Sequence, residues 1–70
     1  MIVLDLHGMK HKDVSRAVSN MCATEATPFI IITGNSSEMK QIVGKVAKTF
    51  NLCVRDTIDN PGRVVVYESR

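Results

Sequence analysis

The sequence predicts a small α/β domain of order βαβαββ, a two-layer sandwich with two helices on a mixed four-stranded sheet. Three observations predict it. Apolar periodicity alternates twice between short strand-like runs and helix-like stripes. Each of the first two strand-like runs ends at a glycine, Gly8 or Gly34, and a helical stripe follows. Right-handed crossovers then make the first three strands mutually parallel. Finally, Asp59-Asn60-Pro61-Gly62 is dense turn chemistry between two strand-like segments, which closes them into an antiparallel hairpin.

Ile2-Val3-Leu4-Asp5-Leu6 opens with β-branched residues and stops at His7-Gly8, as a short strand and its turn do. From Lys10 the period changes. Val14, Ala17, Val18, Met21 and Cys22 make one apolar stripe while Lys12, Ser15, Arg16 and Ser19 face water, so a helix is expected over 11–24. Pro28-Phe29-Ile30-Ile31-Ile32-Thr33 is too short for a helix and apolar throughout, which suits an interior strand beside the first. Gly34-Asn35-Ser36-Ser37 supplies a turn and a cap, Glu38 falls in the positively polarised first turn, and Met39, Ile42, Val43, Val46, Ala47 and Phe50 form the second stripe. A second helix is expected over 37–50. Leu52–Ile58 alternates loosely and carries Arg55, Asp56 and Thr57, so it belongs at an edge, whereas Arg63-Val64-Val65-Val66-Tyr67 belongs inside the sheet.

Seventy residues form one domain, residues 1–70, and on area scaling such a chain buries only about 60% of its unfolded surface. A hydrophobic content of 44% with 23% charged residues describes an ordinary globular composition. No apolar run approaches the roughly 18 to 20 residues of a bilayer span, and the start lacks a signal-peptide pattern, so a cytoplasmic protein without a membrane partner is expected. Cys22 and Cys53 sit in neither a metal-knuckle nor a redox spacing and read as small buried hydrophobes. Nine Lys+Arg against seven Asp+Glu give a net +2, compatible with a nucleic-acid partner without requiring one.

Chemistry is expected where parallel strands present their carboxyl-end loops together. Asp5-Leu6-His7-Gly8 is one such loop, and Thr33-Gly34-Asn35-Ser36-Ser37 is the other. Alternation puts Leu4 and Leu6 on one face and Val3, Asp5 and His7 on the other. Both helices can cover the leucine face, leaving Asp5 and His7 open. A carboxylate two residues from an imidazole can orient it for proton transfer. The purely structural alternative is that His7 ends the strand and Asp5 bonds turn amides. In the second loop, helix-start amides favour phosphate, and Lys40 adds a charge, although capped helices with solvated lysines are common. Asp5, His7 and His11 have ligand chemistry but no fourth partner, so no dedicated metal site is expected; Mg2+ or Mn2+ could accompany a phosphate at Asp5.

These two loops carry a resemblance. Leu4-Asp5-Leu6-His7-Gly8 followed by an amphipathic helix, then Ile31-Ile32-Thr33-Gly34 followed by another, resembles the Smr (small MutS-related) domain. Gly62-Arg63-Val64-Val65-Val66 is similar to that family's final glycine and apolar strand, so the resemblance spans nearly the whole chain. It implies a sandwich similar to the C-terminal domain of translation initiation factor three, and endonuclease activity that nicks DNA or cleaves RNA. The first motif maps onto Leu4, Asp5, Leu6, His7 and Gly8, with Asp5 and His7 as the catalytic pair. Its second motif, usually His-Gly-x-Gly or Thr-Gly-x-Gly, maps onto Thr33, Gly34, Asn35 and Ser36. Ser36 replaces the second glycine there, and Lys10 stands where a capping Thr or Ser is usual.

The expected phosphate-binding set is therefore Gly8, Thr33, Gly34, Asn35, Ser36, Ser37 and Lys40. The expected activity is phosphodiester cleavage in DNA or RNA. The rivals are a non-cleaving nucleic-acid adaptor and a protein-interaction module using the uncovered sheet face. Oligomeric state is not encoded in any recognisable pattern.

Overall fold

A computed structural model describes residues 2–68. The elements are β1 (Val3–Asp5), α1 (His11–Thr24), β2 (Phe29–Ile32), α2 (Ser37–Thr49), β3 (Leu52–Asp56) and β4 (Arg63–Glu68). The expected order βαβαββ is present. The four strands form one sheet in the order β1-β2-β4-β3. β1 pairs parallel with β2, and β4 lies antiparallel between β2 and β3, so β3 runs in the same direction as β1 and β2. The apolar strand β4 is inside and the polar strand β3 is at the edge, as their compositions require.

Both crossovers move the chain in one direction across the sheet, and right-handedness therefore places both helices over one face. That face holds the core. Leu6, Val14, Val18, Phe29, Ile31, Val43, Val64 and Val66 are almost completely buried. Each such side chain contributes about 1.5–3 kcal/mol by leaving water. Leu4, Leu52 and Val54 pack against this cluster from the same side of the sheet. The opposite face, with Val3, Ile30, Ile32, Cys53, Val65 and Tyr67, is covered by no element among the described residues. Val3 is 51% exposed, and the others are half-buried by their neighbours alone.

The helix ends follow their residues. Ser36 caps α2, its hydroxyl accepting from the Met39 amide at 3.1 Å, and Glu38 lies in the first turn where the helix dipole favours it. Lys10 precedes α1 and makes no side-chain cap. Asn51 takes φ +60 just past α2, a left-handed position that asparagine tolerates better than most residues. No described helix is long and apolar enough to cross a membrane.

Candidate functional site

Parallel pairing of β1 with β2 sets Asp5 opposite Ile32, and the Leu6 amide donates to the Ile32 carbonyl at 2.9 Å. The two expected loops therefore leave the sheet side by side at one edge. The first is a tight turn. The Met9 amide donates to the Leu6 carbonyl at 2.9 Å, and Gly8 takes φ +80 at the turn position that requires it. No neighbour lies within 4 Å of where a Gly8 Cβ would stand, so glycine is required there by backbone conformation and not by crowding.

Asp5 and His7 are both exposed at this edge. The Asp5 carboxylate is nonetheless engaged with backbone: its Oδ1 accepts from the His7 amide at 2.8 Å. That bond stabilises the turn and leaves Oδ2 as the open carboxylate oxygen. Among the described residues, the His7 imidazole takes part in no ion pair with Asp5. The pair is thus adjacent through the backbone, with the imidazole free to meet a ligand.

The second bend divides into two functions. The Thr33 and Gly34 amides both donate to the Gly62 carbonyl, at 3.0 and 2.8 Å. The Thr33 hydroxyl is bonded to the Gly34 carbonyl at 2.9 Å, and the residue is 3% exposed. Thr33 and Gly34 thus tie β2 to the start of β4 and present neither amides nor hydroxyl to a phosphate. Sequence pattern missed this, because Gly62 is distant along the chain and its carbonyl carries no signature. Beyond Gly34, Asn35 and Ser37 are exposed, and the first-turn amides of Ser37 and Glu38 have no helical carbonyl to reach. The Ser36 hydroxyl is committed to its cap. Ser37 and Asn35 are consequently the members of the expected set best placed to meet an anion.

The remaining charges are partly paired. Lys40 Nζ lies 3.4 Å from Asp56 Oδ1, which draws it toward the end of β3. His11 Nδ1 lies 3.4 Å from Glu38 Oε2 and links the starts of the two helices. Arg63 was not a candidate on sequence, yet register places it in the row Asp5–Ile32–Arg63 on the open face. Two interstrand spacings put its backbone roughly 10 Å from that of Asp5. Among the described residues its buried Nε has no hydrogen-bond partner, and its Nη2 lies 3.9 Å from the exposed Asp59. The one available signal was an arginine opening an otherwise apolar strand just after a Gly turn.

Asp5 offers at most one uncommitted oxygen, and no group of three His, Cys, Asp or Glu among the described residues could hold a metal ion. One open carboxylate oxygen does not make a resident metal site at this edge. A cavity of about 460 Å³ lies at the opposite edge of the sheet, between Cys22, Glu25, Phe50, Leu52 and Glu68. Burial raises the Cys22 thiol above its ordinary range there. That cavity is remote from both bends. In comparisons with known proteins, no family model, no curated protein and no solved structure matches this chain.

Proposed function

We propose that the chain is an Smr-like nucleic-acid-binding domain, with the sandwich of the C-terminal domain of translation initiation factor three, that cleaves phosphodiester bonds. The observation that carries this reading is the juxtaposition of the Leu4-Asp5-Leu6-His7-Gly8 turn and the Thr33–Ser37 bend on adjacent parallel strands, joined by the Leu6-to-Ile32 hydrogen bond. The turn that carries the exposed His7 then leaves the sheet beside the bend that leads into α2, whose first amides favour a phosphate. A cytoplasmic setting belongs to the same reading, in keeping with Cys22 and Cys53 both being free thiols.

With RNA, His7 takes the proton of a 2′-hydroxyl, the 2′-oxygen attacks the adjacent phosphorus, and the bond to the 5′-oxygen breaks. The products are a 2′,3′-cyclic phosphate and a 5′-hydroxyl once that oxygen is protonated. Asp5 shapes the turn that aims His7 and contributes the remaining carboxylate oxygen. DNA lacks this internal nucleophile, so the route through His7 and a 2′-hydroxyl applies to RNA.

A non-cleaving adaptor is the second reading. It is favoured by the commitment of Asp5 Oδ1 to the His7 amide and of the Thr33 and Gly34 amides to Gly62. Labelled single- and double-stranded RNA and DNA, incubated with Mn2+ or EDTA beside His7→Ala, separate the two. Cleavage lost in His7→Ala supports the nuclease; binding without cleavage by any form selects the adaptor. Equal cleavage by both proteins marks a contaminant and removes the assignment.

A further inference from the structure

The open face of the sheet is a surface that the two bends leave unexplained. Its floor is apolar, from Val3, Ile30, Ile32 and Val65. Three polar side chains stand out on it beyond Asp5. Arg63 occupies the same row as Asp5. Its side chain is 35% exposed, with Nη2 3.9 Å from the Asp59 carboxylate, and the planar guanidinium is suited to bidentate phosphate contacts through its Nη groups. Farther along, Arg55 stacks over the Tyr67 ring at 5.8 Å from its centroid.

Resting on the nuclease or adaptor reading above, we propose that this face carries a single-stranded segment of nucleic acid leading into the Asp5/His7 turn. Arg63 holds a phosphate of that segment, and Tyr67 with Arg55 stacks a base. The path runs from Asp5 across to Arg63 and then along β4 to Tyr67, about 10 Å followed by about 13 Å on strand spacing and rise, enough for a few nucleotides. Unpaired bases can lie on an apolar floor and stack on an aromatic ring. Charge favours this occupant over a second copy. The face itself carries Arg55 and Arg63 against Asp5, with Asp59 in the exposed hairpin turn 3.9 Å from Arg63. A polyanion meets two guanidinium groups there, whereas a second copy would press each arginine against its own kind.

The test is fluorescence polarisation of the full chain with a labelled single-stranded 2′-deoxy oligonucleotide of about ten nucleotides, in EDTA, across a salt series. This substrate has no 2′-hydroxyl, so binding is read without cleavage. Arg63→Ala is expected to weaken binding about tenfold and to flatten the log-log salt slope by about 0.7, the loss of one phosphate contact. Arg55→Ala lies on the exposed edge strand and is expected to weaken binding without altering the melt. Tyr67→Ala should lower affinity roughly 5- to 100-fold with the salt slope unchanged, and Tyr67→Phe should restore it.

Binding by all these variants equal to that of the unaltered chain, with the same slope, overturns the track and leaves the nucleic-acid reading standing. No binding by the unaltered chain to single-stranded or duplex RNA or DNA overturns both. Duplex held as tightly as single strand refutes the single-strand assignment. Concentration-dependent dimerisation abolished by Val65→Asp gives the face to a second copy and also refutes it.

Discussion

Asp5 performs two tasks that one pair of substitutions can pull apart. Its Oδ1 holds the His7 amide at 2.8 Å, while its charge and its remaining oxygen are open to solvent and, on the proposed reading, to a substrate. Asp5→Ala removes both, whereas Asp5→Asn keeps an oxygen acceptor for the amide and removes the charge. A hydrogen bond nets about 0.5–1.5 kcal/mol, and this one is exposed, so the alanine variant should lose about 0.5–1 kcal/mol. For a domain of this size that corresponds to a fall in Tm of roughly 2–8 °C. The asparagine variant should melt within about 2 °C of the unaltered protein by the same conversion. Cleavage of a labelled RNA should nevertheless fall about 100- to 10,000-fold in Asp5→Asn if the carboxylate assists proton transfer. Affinity in a filter-binding assay should hold or rise, because a negative charge would have left the proposed phosphate site. An Asp5→Asn protein that cuts at the original rate, beside an Asp5→Ala protein that melts early, would show that Asp5 only shapes the turn.

Other outcomes follow from the packing. Ile31→Ala removes three carbons from a fully buried position on the helix-covered face and should cost about 2–5 kcal/mol in urea unfolding; an unchanged midpoint would refute the interior placement of β2. Gly8→Ala meets no steric neighbour but must adopt φ +80, so a loss of about 1–2 kcal/mol is expected, and a gain in stability would contradict the left-handed turn. Burial raises the Cys22 thiol, so its proton is held more tightly in the folded chain than in the unfolded one. Its contribution to stability is therefore full below the ordinary thiol range and is lost as pH rises through the raised value. Iodoacetamide should label Cys22 more slowly than a free thiol near pH 8.5; labelling at the free rate would count against that burial.

Much of the architecture is local and was legible for that reason. The stripe from Val14 to Cys22 faces the sheet over α1, and the β-branched run Arg63–Tyr67 forms the interior strand β4, because burial and period act within a few residues. The adjacency of the two bends also followed from crossover handedness. Three features were not legible. The Gly62 carbonyl consumes the Thr33 and Gly34 amides only once β4 has docked against β2. Arg63 enters the Asp5 row through a register set by two strand pairings, which no spacing along the chain encodes. The cavity beside Cys22 brings together the end of α1, the α2–β3 junction and the end of β4, three segments remote from one another in sequence.

The oxygen of Gly62 gathers donors from a bend that lies nearly thirty positions earlier. A chain growing from its amino end would thus expose the Thr33 and Gly34 amides until the closing hairpin arrives. The second bend is completed by the last strand to be made, so its shape depends on residues that leave the ribosome after it.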